Sequence, residues 1–308
     1  MSMLNSFYAA IIPMTIYLLI LWRQDKYERE PFSFLIIHFL WGAVGAIILS
    51  IIGSSIFLWF FSFILSESLL DLSGAVIVAP IVEEIAKALI LFVTYRSTKF
   101  DNVTDGMLYG AAVGLGFGMT ENFLYFSGAA DNSTIWLYTV ILRTATSALV
   151  HAICTGIIGG VFGIFKFQRS YFKSIFITGF LIFPMLIHAA WNFLVSFDFT
   201  FLYGIIFIVI CIIIFWRVYK SFINSELKLI REELIDELYL ANYIDFISSN
   251  KRFRKGWIDE KKRNKLITLS TTLAFRKNQL KKFGTLESNS LSGEIEAIRD
   301  KIKELVIT

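Results

Sequence analysis

The chain has 308 residues, 56% hydrophobic and only 18% charged, with a mean hydropathy of +0.64. A soluble fold of this size needs more charge to cover its surface, so an ordinary soluble domain is excluded. The net charge of +4 is uneven: residues 1–219 hold 11 Lys and Arg against 12 Asp and Glu, and residues 220–308 hold 18 against 13, which divides a membrane region (1–219) from a basic tail (220–308).

A membrane helix needs about 20 mostly apolar residues. Candidate spans run over 3–22, 34–63, 74–95, 106–127, 135–165, 174–197 and 201–219. No Lys or Arg precedes the first span. A cleaved signal peptide carries its positive charge first, so this stretch reads as a permanent span. The second and fifth stretches are too long to stand upright, which predicts tilt or an interfacial portion. Arg23, Lys26 and Arg29 fill the loop 23–33, Arg96 and Lys99 the loop 96–105, and Lys166, Arg169 and Lys173 the loop 166–173. Arg217 and Lys220 close the last span, while the loops 64–73, 128–134 and 198–200 hold no Lys or Arg. This alternation places the N-terminus outside and the C-terminus in the cytosol. The expected fold is all-α: a polytopic membrane helix bundle of about seven transmembrane helices with a helical cytosolic C-terminal tail. Cys154 and Cys211 lie in apolar stretches and imply no disulfide framework.

In the tail, Leu227, Ile230, Leu234, Leu238 and Ile244 keep helical spacing, and a basic run follows from Lys251 to Lys265. The run reads as a solvated basic face, or as one drawn to anionic inner-leaflet lipids at about 1 kcal/mol per basic residue. No nucleic-acid motif accompanies it, and no nucleic-acid partner is expected. The pattern carries no signal of oligomeric state.

Ionisable groups at bilayer depth cost about 2.5–3.5 kcal/mol each and point to function. Glu83, Glu84 and Lys87 fall in the third span, Glu121 in the fourth, His151 in the fifth and His188 in the sixth. At about 1.5 Å per residue, Glu83, Glu121, His151 and His188 lie about 20, 24, 22 and 22 Å from the cytosolic ends of their spans, a common layer in the outer half of the membrane. Glu83 and Lys87 share a helical face, with Glu84 turned about 100° away. Gly106, Gly110, Gly114 and Gly118 form a small-residue stripe that brings Glu121 close to a neighbouring helix. Arg143, Ser147, His151 and Thr155 make a polar stripe, and His188 and Asn192 lie one turn apart. His38 lacks such company and reads as structural. With the three carboxylates ionised and Lys87 counted, the layer carries a net −2 and must hold protons, a cation or both. Glu and His are zinc ligands, and three of them plus a water make a hydrolytic zinc site. Paired carboxylates activating water are the metal-free alternative.

Four motifs in order, Glu83-Glu84-x-x-Lys87, Phe117-x-x-x-Glu121-Asn122, the separate His151 and His188-x-x-x-Asn192, resemble the PrsW-type intramembrane proteases, relatives of the CAAX-prenyl and Abi endopeptidases. The likeness covers roughly residues 1–219. It implies hydrolysis of a peptide bond in a membrane-protein substrate, within or beside the membrane. By position, Glu83 would activate water with Glu84 beside it, and His188 and Asn192 would bind the reacting carbonyl or its oxyanion. Glu121 stands where the CAAX relatives have histidine. This added carboxylate, with His151, makes a zinc site of Glu84, Glu121, His151 and His188 plausible, and the family is commonly classed as metallopeptidases. Lys87, Asn122 and Arg143 would support the site. The resemblance also implies a bacterial cytoplasmic membrane, and a first cut on the outer side of a membrane-spanning anti-sigma factor. Two other readings of the polar layer remain: a proton- or cation-coupled transporter, against which stand the odd span count and absent repeat, and a non-catalytic membrane scaffold.

Overall fold

Regular structure in the computed structural model is helical throughout, with no strand among the described residues. These are all residues except 28, 98–99, 167–172, 283–287 and 308. Lys99 and Arg169, two charges used above for orientation, lie outside them, as does the side chain of Lys173. The chain divides into two compact units: Met1–Gln24 with Glu30–Tyr219, and Asp25–Arg29 with Lys220–Thr308.

The first unit contains α1 (Met3–Gln24), α2 (Phe32–Leu40), a π-helical turn (Trp41–Ala46) and α3 (Ile47–Phe61). After the short α4 (Glu67–Ser73), a second π-helical turn (Gly74–Val78) leads into α5 (Ala79–Thr94), with Pro80 tolerated at its start. Then come α6 (Val103–Gly128), α7 (Ser133–Ala145), α8 (Ser147–Phe165), α9 (Lys173–Val195) and α10 (Phe201–Leu234). Two asparagines start helices in the expected way. Asn102 and Asp105 form a capping box at α6, with Asp105 N–H donating to Asn102 Oδ1 at 2.8 Å. Asn132 caps α7 by accepting from the amides of Thr134 and Ile135 at 3.0 and 3.1 Å.

Five segments among the described residues are long and apolar enough to cross a membrane: Met3–Gln24, Phe32–Phe61, Ser133–Phe165, Ile175–Val195 and Phe201–Leu234. The other two expected spans became α5, only 16 residues long and carrying three charges, and α6, which holds six glycines. These two helices carry Glu83, Glu84, Lys87 and Glu121. The fifth expected span is not one straight rod. It breaks at Thr146, whose φ of −128° and ψ of −74° separate α7 from α8.

α6 is the hub of this unit, and its glycines explain why. A Cβ at Gly106 would sit 2.0 Å from the carbonyl oxygen of Gly159, one at Gly110 2.1 Å from that of Thr155, and one at Gly114 2.2 Å from that of His151. α6 and α8 therefore meet backbone to backbone along the glycine stripe, as small residues permit within lipid. On another side of α6, a Cβ at Gly116 would sit 1.9 Å from the carbonyl oxygen of Phe39. Leu108, Tyr109, Val113, Leu115 and Phe162 fill the core around this contact. His38 is buried, bonded through Nδ1 to the Phe34 carbonyl at 2.7 Å and through Nε2 to Thr94 at 2.9 Å.

The second unit adds α11 (Ile244–Ile247), α12 (Glu260–Lys282) and α13 (Ser288–Ile307) to the end of α10. Leu234, Leu240, Ile247, Leu266, Leu273 and Ile302 are fully buried. Glu237 accepts hydrogen bonds from Arg299, Lys277 and Tyr239, each at 2.7–2.8 Å. Burial pushes its carboxyl upward, but bonds from Arg299, Lys277 and Tyr239 prevail and hold it at about 2. The basic run is not one continuous surface. Lys251, Arg254, Lys255, Lys261 and Lys265 are exposed, whereas Arg252 is wholly buried and donates to Thr271 at 2.5 Å.

Candidate active site

Four helices of the first unit deliver the polar layer to one place. From α5, Lys87 carries a fully buried ammonium that donates to Glu84 Oε1 at 2.8 Å and Glu83 Oε2 at 3.2 Å. It also lies 2.9 Å from Nδ1 of His151 on α8. An ammonium only donates, so His151 Nδ1 is the acceptor and its proton sits on Nε2. That nitrogen lies 2.7 Å from Glu121 Oε2 on α6. From α9, His188 Nδ1 is 3.0 Å from Glu84 Oε1, which leaves Nε2 facing Glu83 Oε2 at 3.9 Å. The two imidazole rings meet edge to face with centroids 4.9 Å apart.

The glutamates play different structural parts. Glu84 is 0% exposed and bonded to Lys87, His188 and, at 3.1 Å, Thr155 of α8. Its oxygens are satisfied, which makes it a strut between three helices. Glu83 and Glu121 have side chains 13% and 23% exposed and line a cavity of about 410 Å³. Arg143, Ser147, His151, His188 and Asn192 line the same cavity, with Trp191 and Tyr125 among its apolar walls.

Arg143 changes the charge of the layer. Its guanidinium lies 2.7 Å from Glu121, donates to Asn122 Oδ1 at 3.1 Å and covers the Tyr125 ring at 3.6 Å. Three carboxylates thus face two cations, a net −1 rather than the −2 read from sequence, with two imidazoles to share a proton or a metal. Tyr125 escaped the sequence reading, although it follows Glu121 by one helical turn. Phe117, which opens the Phe117-x-x-x-Glu121-Asn122 motif, places its ring 3.9 Å from the Lys87 ammonium and 5.1 Å from the His151 ring. Asn192 lines the cavity, and its amide donates to the Ala75 carbonyl at 2.8 Å.

Ligand atoms of Glu83, His151 and His188 lie within 4.8 Å of one another. One carboxylate and two imidazoles match zinc chemistry. Each imidazole turns its other nitrogen to a carboxylate, Glu121 for His151 and Glu84 for His188, as metal-ligating histidines do. The donor set therefore fits a divalent metal. This grouping brings Glu83 together with the two histidines, while Glu84 and Glu121 each bond to the far nitrogen of one of them.

Comparison with known proteins gives this geometry a context. Residues 30–219 match the model of the PrsW family of intramembrane metalloproteases. The protease PrsW of Clostridioides difficile is 30% identical over 219 residues, 70% of this chain and 88% of that protein. Those of Geobacillus kaustophilus and Bacillus subtilis are 28% and 27% identical over 190 and 199 residues, 77% and 81% of their lengths. No solved structure matches the chain. The match of residues 30–219 to the family model, with 30% identity over 88% of the Clostridioides difficile protein, places this chain and its buried acid–imidazole cluster in the PrsW family as an intramembrane protease.

Proposed function

We propose that Glu83 is the carboxylate that activates water for peptide-bond cleavage, acting on a membrane-spanning protein drawn into the cavity beside α5 and α9. The observation that carries this reading is the arrangement of Glu83. It combines exposure to the cavity with an oxygen 3.9 Å from each imidazole. Glu83 takes a proton from water as the oxygen attacks the scissile carbonyl carbon. The second N–H of Asn192 binds the oxyanion that forms. The proton passes from Glu83 to the departing amine as the carbon–nitrogen bond breaks. Arg143 holds Glu121, which in turn fixes the His151 ring.

Glu83 through Oε2, with His151 and His188, would hold a zinc ion, which when bound polarises the carbonyl and lowers the pKa of water, leaving the second oxygen of Glu83 to take the proton. The outer-half depth of the layer suits a first cut near the outer face, with the N-terminus outside and the C-terminus in the cytosol of a bacterial cell. A membrane-spanning anti-sigma factor is a substrate of the right class. The exposed lysines and Arg254 of the tail suit contact with anionic inner-leaflet lipid. The test is cleavage of a membrane-spanning reporter by purified protein. Glu83→Gln lowers the rate at least 1,000-fold, on the order of what loss of a general base and its positioning costs, while insertion stays intact. Wild-type cleavage by that variant sinks the proposal.

A further inference from the structure

Lys87 stands where the proposed metal would have to go. Its Nζ is 3.2 Å from Glu83 Oε2 and 2.9 Å from His151 Nδ1, and those two atoms are 3.9 Å apart. An ion bonded to both at about 2.0–2.1 Å lies close to their midpoint. The triangle of those distances puts that midpoint about 2.3 Å from Nζ. No ammonium tolerates a metal cation so near, and the one lone pair on Nδ1 cannot serve both. The side chain is 0% exposed, and its three N–H donors are all spent, on Glu83, Glu84 and His151. His188 is not involved in this competition, since its Nε2 remains turned toward Glu83.

We infer that Lys87 is a tethered cation that closes the Glu83–His151–His188 triad, and that a divalent metal enters only when the lysine withdraws from His151. The bundle then has two states, one closed by lysine and one loaded with metal. In the loaded state, Glu84 keeps the ammonium, because its 2.8 Å bond to Nζ does not involve the triad. The inference rests on the metal-site reading above and goes beyond it by assigning a competitor within the chain.

The sign of one effect tests it. Zinc affinity of full-length protein in detergent is measured by competition with a chromogenic chelator, and bound metal is counted by elemental mass spectrometry. Lys87→Met removes the charge but keeps the length, and tightens zinc binding at least tenfold. Lys87→Arg keeps a cation and does not tighten it. If Lys87 merely orients the glutamates, Lys87→Met weakens zinc binding, and the inference falls. Should Lys87→Met fail to fold, Lys87→Gln decides, since it removes the charge and keeps a donor for the buried Glu84. It also tightens zinc binding at least tenfold, and affinity equal to or weaker than wild type overturns the inference. Failure of wild type and Lys87→Met alike to bind zinc also overturns it. Cleavage by wild type against Glu83→Gln is scored separately, so the protease reading stands or falls on its own result.

Discussion

Adjacent glutamates on one helix carry opposite burdens. Glu84 ties α5 to α8 and α9 through Lys87, Thr155 and His188 with no exposure, whereas Glu83 looks into the cavity. Neutralising Glu84 leaves Lys87 short of a partner in a dry site, a loss of about 3–5 kcal/mol. Thermal unfolding in detergent should therefore fall sharply for Glu84→Gln and far less for Glu83→Gln, while cleavage is lost in the latter. Thr155→Val removes one hydroxyl donor to a buried carboxylate and should cost about 1.5–3 kcal/mol by the same measurement. Residue counts along each span give the height of a side chain but not the direction it faces. The shared layer of Glu83, Glu121, His151 and His188 was therefore legible, and their pairing was not. Arg143 reaching Glu121, and the rings of Phe117 and Tyr125 lying under the two cations, depend on helix rotation set by packing.

Helix-level features divide in the same way. The glycine stripe of α6 was visible as a period of four, because close approach demands small residues wherever it occurs. The interruption at Thr146 was hidden, since Ala145-Thr146-Ser147 contains neither proline nor glycine and reads as continuous helix. α5 and α6 are less apolar than the five long segments because site charges and glycines dilute them. Gly110→Ala and Gly114→Ala each force a methyl into a carbonyl of α8, and overpacking of this kind costs about 1–3 kcal/mol or more. The carbonyl facing Gly114 belongs to His151, and the one facing Gly106 to Gly159. Gly114→Ala should thus lower cleavage more than Gly106→Ala at matched loss of stability, scored as the ratio of kcat to unfolding temperature across the two variants.

Taken as a whole, the molecule joins a lipid-embedded unit to a charged one whose stabilities answer to different solvents. In the second unit the Glu237 carboxyl sits at about 2 instead of 4.5. Its contribution is complete above the ordinary carboxylate range and fades as the pH drops from about 4.5 through about 2. Amide exchange in α12 and α13 of the full chain should accelerate across that interval. Glu237→Gln should flatten the response and cost about 3 kcal/mol at neutral pH, at the low end for breaking a buried ion pair. The kink between α7 and α8 bears on the embedded unit in another way. Peptide groups cut loose from a helix inside hydrocarbon must find partners in protein or in solvent, and Arg143 and Ser147 set this kink on the cavity wall. Water admitted to that hollow would serve the main chain at the break and, in the same stroke, would stock the reaction with its second reactant at a depth where lipid leaves none.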